Sequence, residues 1–142
     1  MKKMNINRIK DFGIKHEYEL VGELKKADYE ACRLPGSSVR NPDLLVGDGE
    51  SVFVIEVKIS TNNRIIIRTA QIKNLIRFAW KFKAEPWVAL KFINQTSWIF
   101  IRPNAMQISK DNQKLSIDYN TAIQKGVNIN ELISNQLQKR FQ

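Results

Sequence analysis

The chain is poor in the residues that stabilise small extracellular or metal-dependent domains. Its 142 residues include one cysteine, Cys32, and one histidine, His16. One cysteine cannot form an internal disulfide, and one Cys with one His cannot supply the four ligands of a structural zinc site. Disulfide scaffolds and zinc fingers are therefore excluded.

Long hydrophobic runs are also missing. No apolar stretch approaches the roughly 18 to 20 residues of a membrane span. The segment from Met1 to Lys15 alternates charged with apolar residues, where a signal peptide would have an apolar core. We therefore expect a soluble, intracellular and cytoplasmic protein that has no membrane partner.

Acidic residues are scarce relative to basic ones. The sequence has 23 Lys and Arg against 14 Asp and Glu, which gives a formal net charge of +9. A basic surface gains free energy by releasing counterions from a phosphate backbone, so a polyanion is the first partner to consider. Many basic proteins only carry solvated basic faces, and the charge alone does not decide the question.

Hydrophobic residues make up 43% of the chain, which is enough for one domain with an ordinary core. We expect a single domain over 1–142 that begins with a basic, flexible arm over 1–13. Apolar spacing predicts helices at about 14–28 and 69–83, the second with Thr69 as its N-cap and Pro86 as its stop. Short apolar runs between them are typical of strands. This order indicates an α/β fold with a central mixed β-sheet flanked by helices.

The second half of the chain is less regular. Trp87 to Leu90 and Trp98 to Ile101 predict a hairpin. The segment from Pro103 to Gly126 is polar and predicts no element. Asn128 or Asn130 could cap a final helix.

The most informative hairpin comes earlier in the sequence. Leu44 to Val46 and Val52 to Ile55 flank Gly47-Asp48-Gly49-Glu50, and Asp-Gly between two apolar runs is a strong hairpin signal. A turn centred in that segment would pair position 47 with position 50. Asp43 would then lie opposite Val54.

This register gathers Asp43, Glu56 and Lys58 on one face, because strand side chains alternate. Two carboxylates beside apolar strands are costly to desolvate unless a cation binds them. Mg²⁺ suits them because it takes oxygen ligands, including phosphate oxygens. Lys58 could orient or deprotonate the attacking water, or stabilise charge on phosphorus. The alternative is an exposed Glu56–Lys58 salt bridge beside an Asp43 that only begins a strand.

Five segments in this order resemble the archaeal Holliday junction resolvases. Those enzymes share the PD-(D/E)xK nuclease fold, which has a restriction-endonuclease-like core. The resemblance covers about residues 14–103. Its segments are His16 to Val21, Arg33 to Ser37, Pro42 to Leu45, Ile55 to Lys58 and Arg68 to Gln71.

The resemblance implies a metal site with a catalytic lysine, Lys58. Mg²⁺ is the expected metal, and Mn²⁺ is expected to substitute. The implied metal contacts are the side chains of Glu17, Asp43 and Glu56 and the backbone carbonyl of Val57. Glu19 competes with Glu17 as the first-helix acid, because residues two apart on a helix face different ways. Tyr18 stands where many family members have an arginine, and His16 is interpreted as an incidental residue of the helix surface.

The resemblance also implies residues that touch DNA. Ser37, in a loop rich in Pro, Gly and Ser, is implied to lie close to the scissile strand as a catalytic residue; otherwise it is an ordinary turn serine. Gln71 is implied to support the site; otherwise it is a polar residue at a helix N-terminus. The expected DNA-binding residues are Arg33, Arg64, Arg68, Gln71, Lys73 and Arg77.

These observations together predict a structure-specific endonuclease that resolves four-way DNA junctions by paired symmetric nicks. Branched DNA is the expected partner, and the family implies a homodimer. The chain has more aromatic residues than one sheet face needs, so some of them could form the dimer interface. Two alternatives stay open. One is another nuclease of this fold that acts on linear or damaged duplex DNA, and the other is a non-catalytic DNA-binding dimer.

Overall fold

A computed structural model describes residues 6–35, 40–95 and 97–132 of the chain. The helices are α1 (Ile6–Lys26), α2 (Thr69–Lys81) and α3 (Tyr119–Lys125), with a short 3₁₀ turn at Pro103–Ala105. The strands are β1 (Glu30–Arg33), β2 (Leu44–Gly47), β3 (Val52–Ser60), β4 (Arg64–Arg68), β5 (Glu85–Phe92), β6 (Ile99–Ile101), β7 (Gln107–Ile108) and β8 (Lys114–Asp118). None of these helices combines the length and the hydrophobicity that a membrane span requires.

β3 lies at the centre of a five-stranded sheet whose order is β1-β2-β3-β5-β6. It pairs with β5 in parallel, while the other neighbouring pairs are antiparallel. The parallel pair follows from the crossover through β4 and α2, which brings the chain back in the same direction. The predicted mixed sheet is confirmed, and so is the second hairpin, formed by β5 and β6.

Two cores lie on the two faces of this sheet. On one face, α1 packs through Leu20 against the odd-numbered residues of β3. On the other face, α2 packs through Leu75 against Val54. Because strand side chains alternate, Glu56 and Lys58 face the same side as Val54. The predicted catalytic residues of β3, Glu56 and Lys58, therefore lie under α2.

The β2–β3 hairpin forms with a register that differs from the prediction. Gly47 pairs with Val52, two positions beyond residue 50. Val54 pairs with Leu45, so the predicted opposition of Asp43 to Val54 is wrong. A slip of two residues does not change the face that a side chain takes. The inference that the charged side chains share one face therefore survives.

The cause of the slip is the side chain of Asp48. Its Oδ1 accepts hydrogen bonds from the amide of Glu50 at 3.0 Å and from the amide of Ser51 at 2.7 Å. Such an Asx turn holds a longer connection than a two-residue turn. The hairpin therefore closes over residues 48–51.

α1 begins at Ile6 instead of residue 14, so residues 6–13 of the predicted arm are helical. Phe12 and His16, one turn apart, bring their rings together edge to face with centroids 4.6 Å apart. This contact supports the helical turn just before the apolar stripe that marks the predicted start. Residues 1–5 lie outside the described residues.

The predicted ends of α2 are also wrong in detail. Thr69 is its first helical residue and Arg68 is the N-cap, without a side-chain capping bond. The Thr69 amide donates to the carbonyl of Gln113 at 3.0 Å. A main-chain carbonyl therefore accepts from one of the free amides at the helix N-terminus, the groups that a capping side chain usually satisfies. Pro86 does not stop the helix, which ends at Lys81. It lies near the start of β5, where a strand tolerates proline.

A second sheet, in the order β4-β8-β7, covers the rest of the α2 side. Ile65 and Ile67 of β4 and Ile117 of β8 join the core on that side. The sequence predicts β4, but β7, β8 and α3 form in the segment for which it predicts no element. β7 has only two residues, and neither β8 nor α3 carries an apolar run long enough to show a period.

Asn128 caps the last described helical residues, as one of the two predicted alternatives. Its Oδ1 accepts from the amide of Glu131 at 2.8 Å, and its own amide donates to the carboxylate of Glu131 at 3.3 Å. This reciprocal pair is a capping box. The continuation of that helix lies outside the described residues.

Gly126, which follows α3, has no room for a side chain. A Cβ there would lie 2.5 Å from Cγ2 of Ile99 and 2.6 Å from the carbonyl oxygen of Ala122. We expect Gly126→Ala to lower the free energy of unfolding by about 1–3 kcal/mol, because packed atoms must shift. Urea denaturation measures this effect. Gly22→Ala in α1 is the control, since its Cβ would meet nothing within 4 Å, and an equal loss in both variants would contradict the steric argument.

Candidate active site

Asp43 lies directly before β2, where the ladder with β3 ends at Leu44 and Ile55. Its amide donates to the carbonyl of Ile55 at 3.0 Å, and its Oδ2 accepts from the amide of Val57 at 2.7 Å. Main chain and side chain therefore both fix Asp43 to β3. The N–H and C=O of one strand residue point to the same edge, so the carbonyl of Val57 also faces the end of β2.

Glu56 is buried in the central strand, with 8% of its surface exposed. Nζ of Lys58 lies 3.8 Å from its Oε1. The side chains of Lys58 and Glu56 are 27% and 11% exposed, so the alternative of an exposed surface salt bridge does not hold. The structure therefore places a lysine and a buried carboxylate side by side under α2.

A cavity of about 150 Å³ opens over these carboxylates. Asp43 and Glu56 line it from the sheet, and Gln71 lines it from α2. The structure thus brings Gln71 to the carboxylates. Sequence reasoning missed Asn74, which lies three positions after Gln71 and so on the same side of the helix. The other lining residues are Arg40, Asn41, Pro42 and Leu75.

Glu17 approaches the carboxylates from α1. Nε of Arg33 in β1 donates to its Oε2 at 2.8 Å, and the guanidinium of Arg33 lies 4.8 Å from the centroid of the Tyr18 ring. The charge of Glu17 contributes to raising the pKa of both Asp43 and Glu56. The structure therefore brings Glu17 and Arg33 to the edge of the site.

Glu19 lies in a different group. Its carboxylate pairs with Lys91 of β5, and its Oε2 lies 3.3 Å from Nδ1 of His16. Burial acts to raise the pKa of Glu19, but Lys91 and His16 together outweigh that effect and lower the pKa. His16 is buried and packed within this group, so its interpretation as a surface residue is wrong. Of the two competing acids, the structure brings Glu17 to the carboxylates.

The protonation of the two carboxylates is strongly perturbed. Burial, together with the nearby charge of Glu17, raises the pKa of Asp43 to about 6, although the hydrogen bond from Val57 opposes this. Burial and then the charge of Asp43 raise the pKa of Glu56 to about 8, against the effect of Lys58. At neutral pH without a cation, the pair therefore retains a proton.

This donor set fits a divalent cation with few protein ligands. Within residues 12–35, 40–95 and 97–132, no three His, Cys, Asp or Glu side chains come together as a complete metal cluster. Mg²⁺ commonly binds one or two carboxylates and takes its remaining oxygens from water and phosphate. Asp43 and Glu56 supply such a pair, and a cation there would offset both the burial and the mutual repulsion that raise their pKa values.

The remaining predicted DNA-binding residues lie outside the cavity. Arg64, Arg68, Lys73 and Arg77 are all exposed. Arg64 belongs to the second sheet, where its Nη2 donates to Oγ of Ser116 at 2.8 Å. Ser37 lies outside the described residues.

Comparisons with known proteins agree on one family. The family described as archaeal Holliday junction resolvase (Hjc) matches residues 8–141. The crossover junction endodeoxyribonuclease Hjc of Archaeoglobus fulgidus is 30% identical over 136 residues, which cover 94% of this chain and 97% of that protein. The Hjc of Methanocaldococcus jannaschii is 28% identical over 130 residues, which cover 85% and 95%.

A solved structure agrees with the sequence comparisons. The structure of Archaeoglobus fulgidus Hjc, a Holliday junction resolvase from an archaeal hyperthermophile, superposes with a TM-score of 0.77 at 29% identity. The superposition covers 84% of this chain and 93% of that one. The predicted restriction-endonuclease-like fold is thereby confirmed.

The raised pKa values predict how stability depends on pH in the absence of metal. The native state binds protons more tightly than the unfolded chain, whose carboxylates titrate near 3.8 and 4.5. The free energy of unfolding should therefore fall as pH rises from about 4 to about 8, on the order of a few kcal/mol at about 1.4 kcal/mol per pKa unit.

Urea denaturation in EDTA at several pH values measures this dependence. Glu56→Gln should flatten the decline, because the amide does not titrate. An equally steep decline in wild type and variant would show that Glu56 does not carry the effect.

Proposed function

The chain belongs to the archaeal Holliday junction resolvase family, and from this membership we propose that it is a structure-specific endonuclease. It cuts four-way DNA junctions by Mg²⁺-dependent phosphodiester hydrolysis, with paired symmetric nicks, in DNA recombination and repair within the cell. The observation that carries the proposal is the pair formed by the half-buried Asp43 and the buried Glu56 beside Lys58. A module that only binds DNA has no reason to bury two like charges, which argues against the non-catalytic alternative.

The metal site uses the oxygens gathered at the end of β2. Asp43 and Glu56 hold Mg²⁺, with the Val57 carbonyl and Glu17 as the further expected contacts, and Mn²⁺ is expected to substitute. When bound, the ion supplies Lewis-acid stabilisation of phosphate oxygens. Arg33 holds the carboxylate of Glu17 in place from β1.

Lys58 acts on the scissile phosphate. Its ammonium group lies beside Glu56 on the same strand, and the Lys58 side chain is partly open to solvent. A cation in this position stabilises the negative charge that builds on phosphate oxygens as water attacks in line. Gln71 and Asn74, on the opposite wall of the cavity, offer amide groups to the substrate backbone.

The exposed cations supply backbone contacts outside the cavity. Arg68, Lys73 and Arg77 lie on β4 and α2, the elements that flank the site, and Arg64 lies at the start of β4. Such contacts position DNA without reading base sequence, which suits an enzyme that recognises branched shape. Ser37, five positions before Pro42 in the sequence, is proposed to act near the scissile strand.

A homodimer would supply two sites for the two symmetric cuts. The end of α2 provides the apolar surface for it. Trp80 is 75% exposed and Phe82 is 62% exposed, and Phe82 stacks on Phe78 with centroids 4.6 Å apart. Large exposed aromatic side chains are typical of interfaces, so we place the interface there.

The decisive test uses an end-labelled four-way junction and a linear duplex of the same sequence, with Mg²⁺ or with EDTA. The wild-type protein should nick only the junction, at symmetric positions, and only with Mg²⁺. Glu56→Gln should bind the junction but lose cleavage by at least about 10²-fold, because it removes a metal ligand. Gel electrophoresis of the products measures both results.

Other outcomes have distinct meanings. Equal cutting of linear duplex would favour a general nuclease of this fold. Binding of the junction without any cleavage, with either Mg²⁺ or Mn²⁺, would leave only the DNA-binding module.

Glu17 and Glu19 form a matched pair for testing the first-helix acid. Glu17→Gln should slow junction cleavage about 10- to 100-fold, as loss of a ligand or of its orienting neighbour does. Glu19→Gln should leave cleavage near the wild-type rate but lower the free energy of unfolding, because it leaves Lys91 without its carboxylate. Single-turnover cleavage and urea denaturation separate the two effects, and the reverse pattern would assign the role to Glu19.

A further inference from the structure

The second sheet carries two adjoining cavities, which share no lining residue with the carboxylate cavity. Their volumes are about 570 Å³ and about 280 Å³. Arg64, Gln107 and Ser116 line both of them. Because the two cavities share these three residues, we treat them as one depression, which is called the sheet groove below.

The sheet groove is lined by the side chains that usually contact phosphate and sugar. Its cations are Arg64 at the centre, Lys110 and Lys114 in the smaller cavity and Lys125 in the larger one. In the part of the chain that the structure describes, none of these four cations forms an ion pair within 4 Å. The groove therefore presents an excess of positive charge, because its four cations face a single lining carboxylate, that of Asp118.

The acidic groups near the groove are already engaged in local structure. Asp118 lines the larger cavity, but its carboxylate accepts from the amide of Thr121 at 2.7 Å and caps α3. Asp111 accepts from the hydroxyl of Ser109 at 2.6 Å and from the amide of Gln113 at 3.0 Å. These hydrogen bonds lower the pKa of Asp118 and of Asp111, with smaller contributions from the charges of Arg64 and Lys114 respectively. Both carboxylates therefore stay ionised and offset part of the charge of those two cations.

The pairing of β4 with β8 adds a second sign of an anionic partner. Arg68 lies directly opposite Lys114, and both side chains are exposed. Like charges in directly opposed positions destabilise a sheet unless an anion lies between them. Farther along the same two strands, Arg64 lies directly opposite Asp118, so the excess of positive charge is greatest at the end of the sheet that carries Arg68 and Lys114.

The sheet groove is also connected to the carboxylate cavity through the chain. Arg68 immediately precedes α2, and Gln71, less than one helical turn later, lines that cavity. A polyanion that follows the exposed side of β4 is thereby led to the edge of the site.

We propose that the sheet groove binds the sugar–phosphate backbone of a duplex arm that leads away from the cut. That this duplex is an arm of a junction rests on the proposed function. The contact itself requires only a phosphate backbone.

The test compares two double variants with the same loss of charge. Lys110→Gln/Lys114→Gln removes two cations of the groove, and Lys25→Gln/Lys26→Gln removes two exposed cations at the end of α1, on the opposite side of the five-stranded sheet. Affinity for a four-way junction and for a linear duplex is measured in EDTA by fluorescence anisotropy at several salt concentrations.

The groove variant should bind both DNAs on the order of tenfold more weakly, and its log–log salt slope should fall by about 2, since each lost phosphate contact removes about 0.9. The α1 variant should keep the wild-type slope. At saturating protein, the α1 variant should cut the junction at the wild-type rate, because neither of its lysines lines the groove or the carboxylate cavity.

Equal effects of the two double variants, or an unchanged slope in the groove variant, would overturn the proposal. The outcome is independent of catalysis. If the wild-type protein cuts no junction, the proposed function fails, while the difference in salt slope on linear duplex still decides whether the groove binds DNA.

Discussion

The attachment of Asp43 to β3 is the constraint on which the site depends. The β2–β3 ladder stops at Leu44, so the amide and the carbonyl of Val57 have no strand partner on that side. Asp43 satisfies the amide with its carboxylate at 2.7 Å. A buried amide without a partner costs about 1–3 kcal/mol, so the same contact that completes the backbone also places a carboxylate beside Glu56. Asp43 therefore has two roles, since it completes the hydrogen bonding of β3 and supplies one carboxylate of the site.

The two faces of the central strand divide structure from chemistry. Odd-numbered residues of β3 fill the core under α1, and even-numbered residues carry Glu56 and Lys58 under α2. α1 therefore cannot reach the carboxylates through the sheet. Glu17 approaches them around the β1 edge, where Arg33 holds it. The site draws on both sides of the sheet because it lies where the strands end.

The sequence correctly predicts that Asp43, Glu56 and Lys58 lie on one face of the sheet. That prediction depends only on the alternation of side chains along a strand, and a register slip of two residues does not change the alternation. The exact register was not predictable from apolar runs, since it depends on two hydrogen bonds to one oxygen of Asp48. The choice between Glu17 and Glu19 was not predictable from residues alone either. It depends on partners far away in sequence, Arg33 in β1 for one and Lys91 in β5 for the other.

The second sheet shows a different reason why hydrophobic periodicity fails to predict secondary structure. Its strands β7 and β8 are short and polar, and β8 is held by pairing with β4 instead of by its own pattern. Pairing between segments that lie far apart in the chain leaves no local signal, so sequence analysis finds β4 and misses its partner. The groove on that sheet was hidden for the same reason.

The distribution of charge follows from the demands of a polyanionic substrate. The carboxylates of Asp43 and Glu56 by themselves repel a scissile phosphate, and the repulsion is strong because both are partly removed from water. A bound cation and Lys58 offset it at short range. At longer range the offset must come from exposed cations, whose effect falls with salt over a Debye length of about 10 Å. An acidic centre inside a chain of net charge +9 is therefore consistent with a single function. The exposed cations attract the DNA backbone, and the carboxylates, with their bound cation, act on the phosphate that reaches them.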